Sequence, residues 1–292
     1  MANENLINMN IGSISVITHR RAELLDRCLQ SVSTAKSSRD INVTVLWQGA
    51  SAEIEKVLLK NRSTIHEVIH LEKETSDIEM HINTNRYLAY RNAFSKSHIE
   101  WNLCLEEDVE ISDDTIVFVE AIFDRFQGKR KFRGINLGSL IKFDNEKIHQ
   151  FTKVRYGIHG PASVISRDTW MRIRATLNMC SDGARAWDGV IEPFLKTGFM
   201  VTPIVSRYID NGFTGTHARY EIASEYFEGL QASWRRDLGR NPYGYVEVNI
   251  PPKWRQDAIG YSFTGALYAS LRNLKSNLVF FNDYLRTWRK RA

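Results

Sequence analysis

The sequence predicts an α/β fold: a mixed, mostly parallel sheet flanked by helices. Three observations carry that prediction. Short apolar, β-branched runs alternate with amphipathic helical stretches over residues 13–72, and strand, helix, strand, helix, strand in succession implies parallel strands with right-handed crossovers. The opening run, at 13–21, is apolar and β-branched, like a strand buried on both faces. Apolar residues make up 43% of 292, enough for a sizeable core in one α/β domain with appended pieces.

Taken in order, "SISVITHRR" (13–21) is a buried strand that breaks at Thr18, His19 and Arg20. "AELLDRCLQSVSTA" (22–35) places Leu24, Leu25, Cys28, Leu29 and Val32 at helical spacing. "INVTVLWQGAS" (41–51) is a strand ending in a glycine turn, "AEIEKVLLKN" (52–61) a helix, and "HEVIHLE" (66–72) a short strand. "NRYLAYRNAFSKS" (85–97) reads as a helix, "EWNLCLEED" (100–108) as the next strand and "TIVFVEAIFDRF" (115–126) as an amphipathic helix. Beyond residue 130 the pattern is less regular. Strands are expected at 133–140, 161–166 and 200–207, and helices at 167–177, 187–197, 218–238 and 263–290.

The totals exclude several classes. The net charge is +5, but Arg286, Arg289, Lys290 and Arg291 supply most of it. The body is near neutral, so no nucleic-acid partner is expected. The three cysteines are scattered without a CxxC pair, which argues against a zinc ribbon or a disulfide framework and fits a reducing cytosol. "MANENLINMN" lacks the basic and apolar regions of a secretory signal, and no run reaches the roughly 20 apolar residues of a membrane span. The expected location is cytoplasmic.

The stretch with the most chemistry is "NLCLEEDVEISDD" (102–114), where an apolar strand ends in Glu106, Glu107 and Asp108. Adjacent carboxylates disfavour one another's ionisation, so a positive partner is expected. In open parallel sheets ligands bind beyond the carboxyl ends of strands, where these acids and Thr18, His19 and Arg20 fall. A hard cation, Mn²⁺ or Mg²⁺, is commonly held by one or two carboxylates plus substrate phosphates. The alternative is a solvated acidic turn. Asp113 and Asp114 have a simpler reading as helix-start carboxylates that complement free N–H groups.

On these residues the chain resembles GT-A fold glycosyltransferases, and is similar to the family 2 inverting enzymes and the N-acetylglucosaminyltransferase I group. "ISVITHRRAELLDRCLQSV" resembles their opening strand and helix, "YRNAF" (90–94) their "ARN" element, and "LEEDVEIS" their DXD-type motif. "GPASVISRDTWMRI" (160–173) resembles the acceptor-side glycine turn, "AWDGVIEPFL" (186–195) the element that supplies the base, and "TPIVSRYIDNGFTGTHA" (202–218) the final stretch. The resemblance covers roughly residues 12–218 and departs from the pattern with Glu107 where Asp is usual.

The resemblance implies a GT-A catalytic domain over 1–240, with a nucleotide-sugar half to about 115 and an acceptor half over 116–240, followed by an extension over 241–292. It implies a metal-dependent inverting transfer of a hexosyl or N-acetylhexosaminyl group from a nucleotide diphosphate sugar, a UDP-sugar foremost, to a hydroxyl acceptor in glycan or glycolipid synthesis. Asp108 would bind the metal, with His217 completing its shell. Thr18, His19, Arg20, Gln48, Arg91, Glu106 and Glu107 would contact the donor. Asp188 would be the base, with Glu192 one helical turn later as the fallback. Trp187 and Gly160 would lie on the acceptor side. For Trp170 and Trp187, stacking on a sugar competes with burial in the core. Against this stand a non-catalytic carbohydrate-binding or scaffold protein on the same fold, and a sugar-phosphate nucleotidyltransferase. The latter needs an early glycine-rich phosphate loop, which "ITHRRAELL" lacks.

The tail is a separate matter. In "LYASLRNLKSNLVFFNDYLRTWRKR" (267–291), Leu271, Leu274, Leu278, Phe281, Leu285 and Trp288 recur at helical spacing among six basic residues. A basic amphipathic helix over 264–291 suits the surface of an anionic membrane; packing on the domain or in a homodimer is the other reading. If the membrane reading holds, deleting 264–292 abolishes co-sedimentation with anionic liposomes. Equal, negligible sedimentation of both forms removes it.

Overall fold

The structure is a computed structural model. It describes residues 11–37, 39–71, 78–138, 149–154, 161–179, 194–195, 197–212, 234, 236, 238 and 244–248, with side chains of the helix at 78–95 described from Thr84 onward. The chain divides into two units, Met1–Asn249 and Ile250–Ala292, and every described residue lies in the first. The expected helix at 263–290, most of those at 187–197 and 218–238, and Cys180 fall outside the described residues; Trp234, Arg236 and Leu238, at the end of 218–238, are described and are not helical.

The opening pattern folds as expected. The elements are β1 (Gly12–Thr18), α1 (Ala22–Lys36), β2 (Asn42–Gln48), α2 (Ala52–Lys60), β3 (Glu67–Leu71), α3 (Ile78–Ser95) and β4 (Trp101–Glu106). They continue with β5 (Val109–Ile111), α4 (Thr115–Phe126), β6 (Phe132–Asn136), β7 (Gln150–Val154), β8 (Ala162–Ser166), α5 (Arg167–Met179), β9 (Phe199–Pro203), β10 (Tyr208–Asp210) and β11 (Val246–Glu247). The helix expected at 85–97 begins earlier, at Ile78. The strands β5, β7, β10 and β11 are too short, or too polar, to stand out as apolar runs.

The nine-stranded sheet has the order β11-β7-β9-β6-β8-β4-β1-β2-β3. The strands β4, β1, β2 and β3 are mutually parallel. From β4 the direction reverses at β8, which is antiparallel to both β4 and β6. β6 and β9 are parallel, as are β7 and β11, while β7 and β9 are antiparallel. The fold is thus a mixed, mostly parallel sheet flanked by helices, with a Rossmann-like half. β5 and β10 pair antiparallel as a separate ribbon, with Asp210 opposite Val109.

The connections leave β1 toward β2 on one side, and return through α3 to β4 on its other side. The carboxyl ends of β1 and β4 are therefore the topological switch point, the place where open α/β sheets bind ligands. Both sheet faces are covered. Ile14, Val16, Val43, Val45, Leu103 and Leu105 share one core with α1, α2 and α4. Leu46 and Cys104 share the other with Tyr90 and Phe94 of α3 and with Trp170, Ile173 and Leu177 of α5. Trp170 is therefore core, 5% exposed, with its ring against Tyr87, Tyr90 and Phe94. At Gly12 any Cβ would stand 2.0 Å from the Trp101 ring, so glycine lets that indole lie flat beneath β1. No helix among the described residues is long and apolar enough to cross a membrane.

One buried ion pair anchors the β5–β10 ribbon to this core. Arg207 NH2 lies 3.0 Å from Asp114 Oδ2, and neither side chain is exposed. The Tyr245 hydroxyl donates to the same oxygen at 2.9 Å, and the guanidinium stacks over Phe118 at 5.1 Å. Asp114 does precede α4, but its side chain makes no capping hydrogen bond; the expected complement to the helix N-terminus is spent on Arg207 instead. Asp113 accepts from Leu238 N–H at 2.9 Å. Removing one partner of a buried pair strands the other charge. Arg207→Met is expected to lower stability by about 3–5 kcal/mol in urea unfolding with an unchanged m-value, whereas loss below 1 kcal/mol shows that the pair is not the anchor.

Candidate functional site

At the end of β4 the chain leaves the sheet through Glu107 and Asp108 before β5 begins. Register places Ile17 of β1 beside Glu106, so the acids emerge next to Thr18 and the start of α1. The structure supplies much of the positive charge the acids require from the protein itself.

Glu106 accepts from Arg86 NH2 at 2.6 Å. Arg86 is a fully buried side chain of α3 that also donates to the Cys104 carbonyl at 3.2 Å. Glu107 has both oxygens engaged: Oε2 by the Thr18 hydroxyl at 2.6 Å and by His19 N–H at 2.7 Å, and Oε1 by Arg21 Nε at 2.7 Å. Burial pushes the Glu107 carboxyl up, but the bonds from Arg21, Thr18 and His19 outweigh it and hold it below the usual range. Glu110 is paired with Arg27 and Arg236 and accepts from Asn211 Nδ2 at 2.9 Å.

Asp108 is different. Arg21 NH2 reaches its Oδ2 at 2.7 Å, but the side chain is only 9% exposed and its Oδ1 is buried without a partner. The ribbon brings a second acid close. Asn211 N–H donates to the Asp108 carbonyl at 2.8 Å. A Cβ on Gly212 would stand 2.2 Å from Asp108 Oδ2 and 2.9 Å from Asp210 Oδ1. Only a glycine lets the backbone pass between the two carboxylates. The sole hydrogen bond to the Asp210 carboxylate among the described residues comes from Gly212 N–H, at 2.7 Å.

Burial raises Asp108 to about 6, with repulsion from Glu106 adding to it against Arg21. Burial raises Asp210 to about 7, with Asp108 as its main repulsive neighbour. Paired acids that resist ionisation fit a missing positive charge, and the orphaned Asp108 oxygen is the specific atom that a cation would satisfy. No group of three or more His, Cys, Asp or Glu arranged to hold a metal is present among the described residues. Among the described residues the site offers two carboxylates that are not fully paired, Asp108 and Asp210, a number that suits Mg²⁺ or Mn²⁺ when phosphate oxygens and water complete the shell.

The structure brings Thr18, His19, Glu106, Glu107 and Asp108 together. Arg20 is exposed beside them. Gln48 is buried at the end of β2 and accepts from Asn85 Nδ2 at 3.2 Å. Arg91 is exposed on α3 and takes no part in the acid cluster's contacts; the arginine of that helix that reaches the strand ends is Arg86. Asp188, Glu192, His217, Trp187 and Gly160 lie outside the described residues. Cys28 and Cys104 are buried, and burial pushes both thiols up, so neither is a ready nucleophile or metal ligand.

Arg21, Arg86 and Asp210 were not foreseen. Arg21 left a signal: it stands at the N-cap of α1, where its side chain makes no capping bond. A cation there also opposes the helix dipole, so its partner had to be something acidic nearby.

No protein-family model matches the chain, and no curated protein sequence matches it. Among solved structures, the chain is similar to the mannosyltransferase PcManGT from Pyrobaculum calidifontis in complex with GDP-mannose and Mn²⁺. The identity is 14%, over 55% of this chain and 46% of that one, with a TM-score of 0.38. The match therefore spans less than half of that chain's length, and a likeness of this extent carries no argument about chemistry.

The raised pair has a consequence for stability. Asp108 and Asp210 keep their protons to higher pH in the folded chain than in the unfolded one. Folding therefore takes up protons between about pH 4 and 7, and the pair's contribution falls as pH rises through that window. Asp210→Asn retains the acceptor for Gly212 and removes the repulsion. Its melting temperature is expected to match wild type near pH 5 and to exceed it by about 2–4 °C at pH 8. A difference independent of pH rules out the repulsion.

Proposed function

We propose that the protein is a metal-dependent, inverting glycosyltransferase that moves a hexosyl or N-acetylhexosaminyl group from a nucleotide diphosphate sugar, a UDP-sugar foremost, to a hydroxyl acceptor. The observation that carries this reading is the buried, half-paired carboxylate of Asp108 at the switch point between β1 and β4, one oxygen on Arg21 and the other without a partner. A buried acid there, with an oxygen left unpaired, suits a cation and its diphosphate better than it suits a purely structural role.

In this reading Asp108 holds Mn²⁺ or Mg²⁺, with His217 as a further ligand. A divalent ion bound there would neutralise charge on the departing diphosphate. Thr18, His19 and Arg20 line the nucleoside end of the site, with Gln48 presenting an amide edge. Arg91 has no place in the observed cluster, and its donor role passes to Arg86, which orients Glu106. Glu107 acts indirectly, by tying Thr18, His19 and Arg21 into one rim. Asp188, or Glu192 in its stead, takes the proton from the acceptor hydroxyl as the oxygen attacks the anomeric carbon and the bond to the diphosphate oxygen breaks on the opposite face. Trp187 and Gly160 belong to the acceptor side. The proposed setting is cytoplasmic, with residues 264–291 touching a membrane surface or a second copy of the chain.

Calorimetric titration with UDP and GDP, with and without Mn²⁺, tests the reading. One nucleotide is expected to bind in a metal-dependent manner, and Asp108→Asn to lose that dependence. Asp188→Asn is expected to retain donor binding and to lose transfer. A folded wild-type chain that binds neither nucleotide overturns the donor assignment and leaves a non-catalytic scaffold. An Asp188→Asn protein with normal turnover overturns the base.

A further inference from the structure

The charges at the strand ends do not balance evenly. Glu106 is matched by Arg86, Glu107 by Arg21, and Glu110 by Arg27 and Arg236. Asp108 has only the second arm of Arg21, on one oxygen, and Asp210 has no ion-pair partner among the described residues. A buried carboxylate, Asp108, and a half-buried one, Asp210, thus have between them one arm of one guanidinium, held by Asp108 alone, and the other oxygen of Asp108 has no partner at all.

The guanidinium itself is poorly placed to stay. Its side chain is 38% exposed, in contrast to the acids it bridges. It sits at the N-terminus of α1, where the exposed backbone N–H groups favour an anion and disfavour a cation. Glu107 would keep its Thr18 and His19 bonds without it. A short rotation that frees Arg21 from Asp108 therefore leaves the Thr18 and His19 bonds of the rim in place.

We propose that Asp108 and Asp210 form a two-carboxylate seat for one divalent cation, and that Arg21 is the exchangeable cation of that seat, releasing Asp108 to the metal and turning to the diphosphate. The inference rests on the metal–diphosphate reading of the site and adds to it a second ligand and a coupling device. Arg21 competes with the metal when no nucleotide is bound and assists it when a diphosphate is present. Metal and nucleotide consequently strengthen each other's binding, and the coupling is reciprocal. Gly212 is what lets the two carboxylates approach, since any side chain there would occupy the space between them.

Mn²⁺ binding to the full chain, followed by electron paramagnetic resonance with and without UDP or GDP, tests both parts without reference to turnover. Asp210→Asn is expected to weaken Mn²⁺ binding about tenfold or more, since loss of even an outer partner of a metal site typically costs 10- to 100-fold. Asp210→Ser should do the same, and circular dichroism melts confirm that either variant is folded. Arg21→Gln is expected to bind Mn²⁺ alone about two- to fivefold more tightly, the scale of a half-exposed ion pair. The same variant should bind the nucleotide more weakly when Mn²⁺ is present, so that the coupling shrinks. Wild-type Mn²⁺ affinity in both Asp210 variants, alongside its loss in Asp108→Asn, overturns the two-carboxylate seat. Unchanged coupling in Arg21→Gln overturns the exchange. A wild-type chain that binds neither metal nor nucleotide overturns the proposed function and this inference together, whereas failure of the variants alone overturns only the inference.

Discussion

The arrangement at the strand ends depends on the grip of Glu107 on β1 and α1. One carboxylate takes the Thr18 hydroxyl, the His19 N–H and the Arg21 guanidinium. It thereby joins the last residue of β1, the turn that follows and the residue at the N-cap of α1 to the end of β4. Both oxygens are used and the group is nearly buried, so each bond acts in a setting where an unpaired carboxylate would be costly. The switch point has a defined rim because of this clamp. Arg86 does the equivalent work from the other face of the sheet, through Glu106 and the Cys104 carbonyl.

Those clamps leave a residue of strain. Four acids of the cluster are neutralised by arginines in full or in part, yet Asp108 keeps an unpaired oxygen and faces Asp210 across Gly212. A protein selected for stability alone would place an amide or an apolar side chain there, and buried polar groups left unsatisfied tend to mark functional sites. The Arg207–Asp114 pair differs in its charges rather than in its oxygens: Asp114 also keeps one buried oxygen without a partner, but there a fully buried guanidinium meets a single carboxylate, with a tyrosine hydroxyl and an aromatic face in support. That pair serves the fold, holding the ribbon that delivers Asp210.

The parts of the site legible from sequence were those carried by local pattern. "SISVITHRR" and "NLCLEED" each end an apolar run in polar residues, and this placed Thr18, His19 and Glu106 to Asp108 at strand termini without any knowledge of pairing. Choosing among arginines was harder. Arg91 sits in the short motif that drew attention, but it lies on the exposed side of α3; Arg86 is the residue on the buried side, where it reaches the strand ends. Arg21 stood in plain view as an unsuitable N-cap, a local conflict of the kind that points to a distant partner. Asp210 had no such mark, being one acid in a short, irregular strand.

By itself the sequence determined the alternation of strands and helices, the burial of the sheet on both faces and the position of the acids at a strand end, because periodicity and burial are properties of neighbouring residues along the chain. Tertiary structure alone decided which charges meet. The reversal at β8, the separate pairing of β5 with β10 and the approach of Asp210 to Asp108 across about a hundred residues all depend on register between distant strands. Electrostatic interactions fall with distance in space and take no account of distance in sequence. The same four residues, "EEDV", therefore spell only an acidic turn until the fold brings Arg21, Arg86 and Asp210 around them.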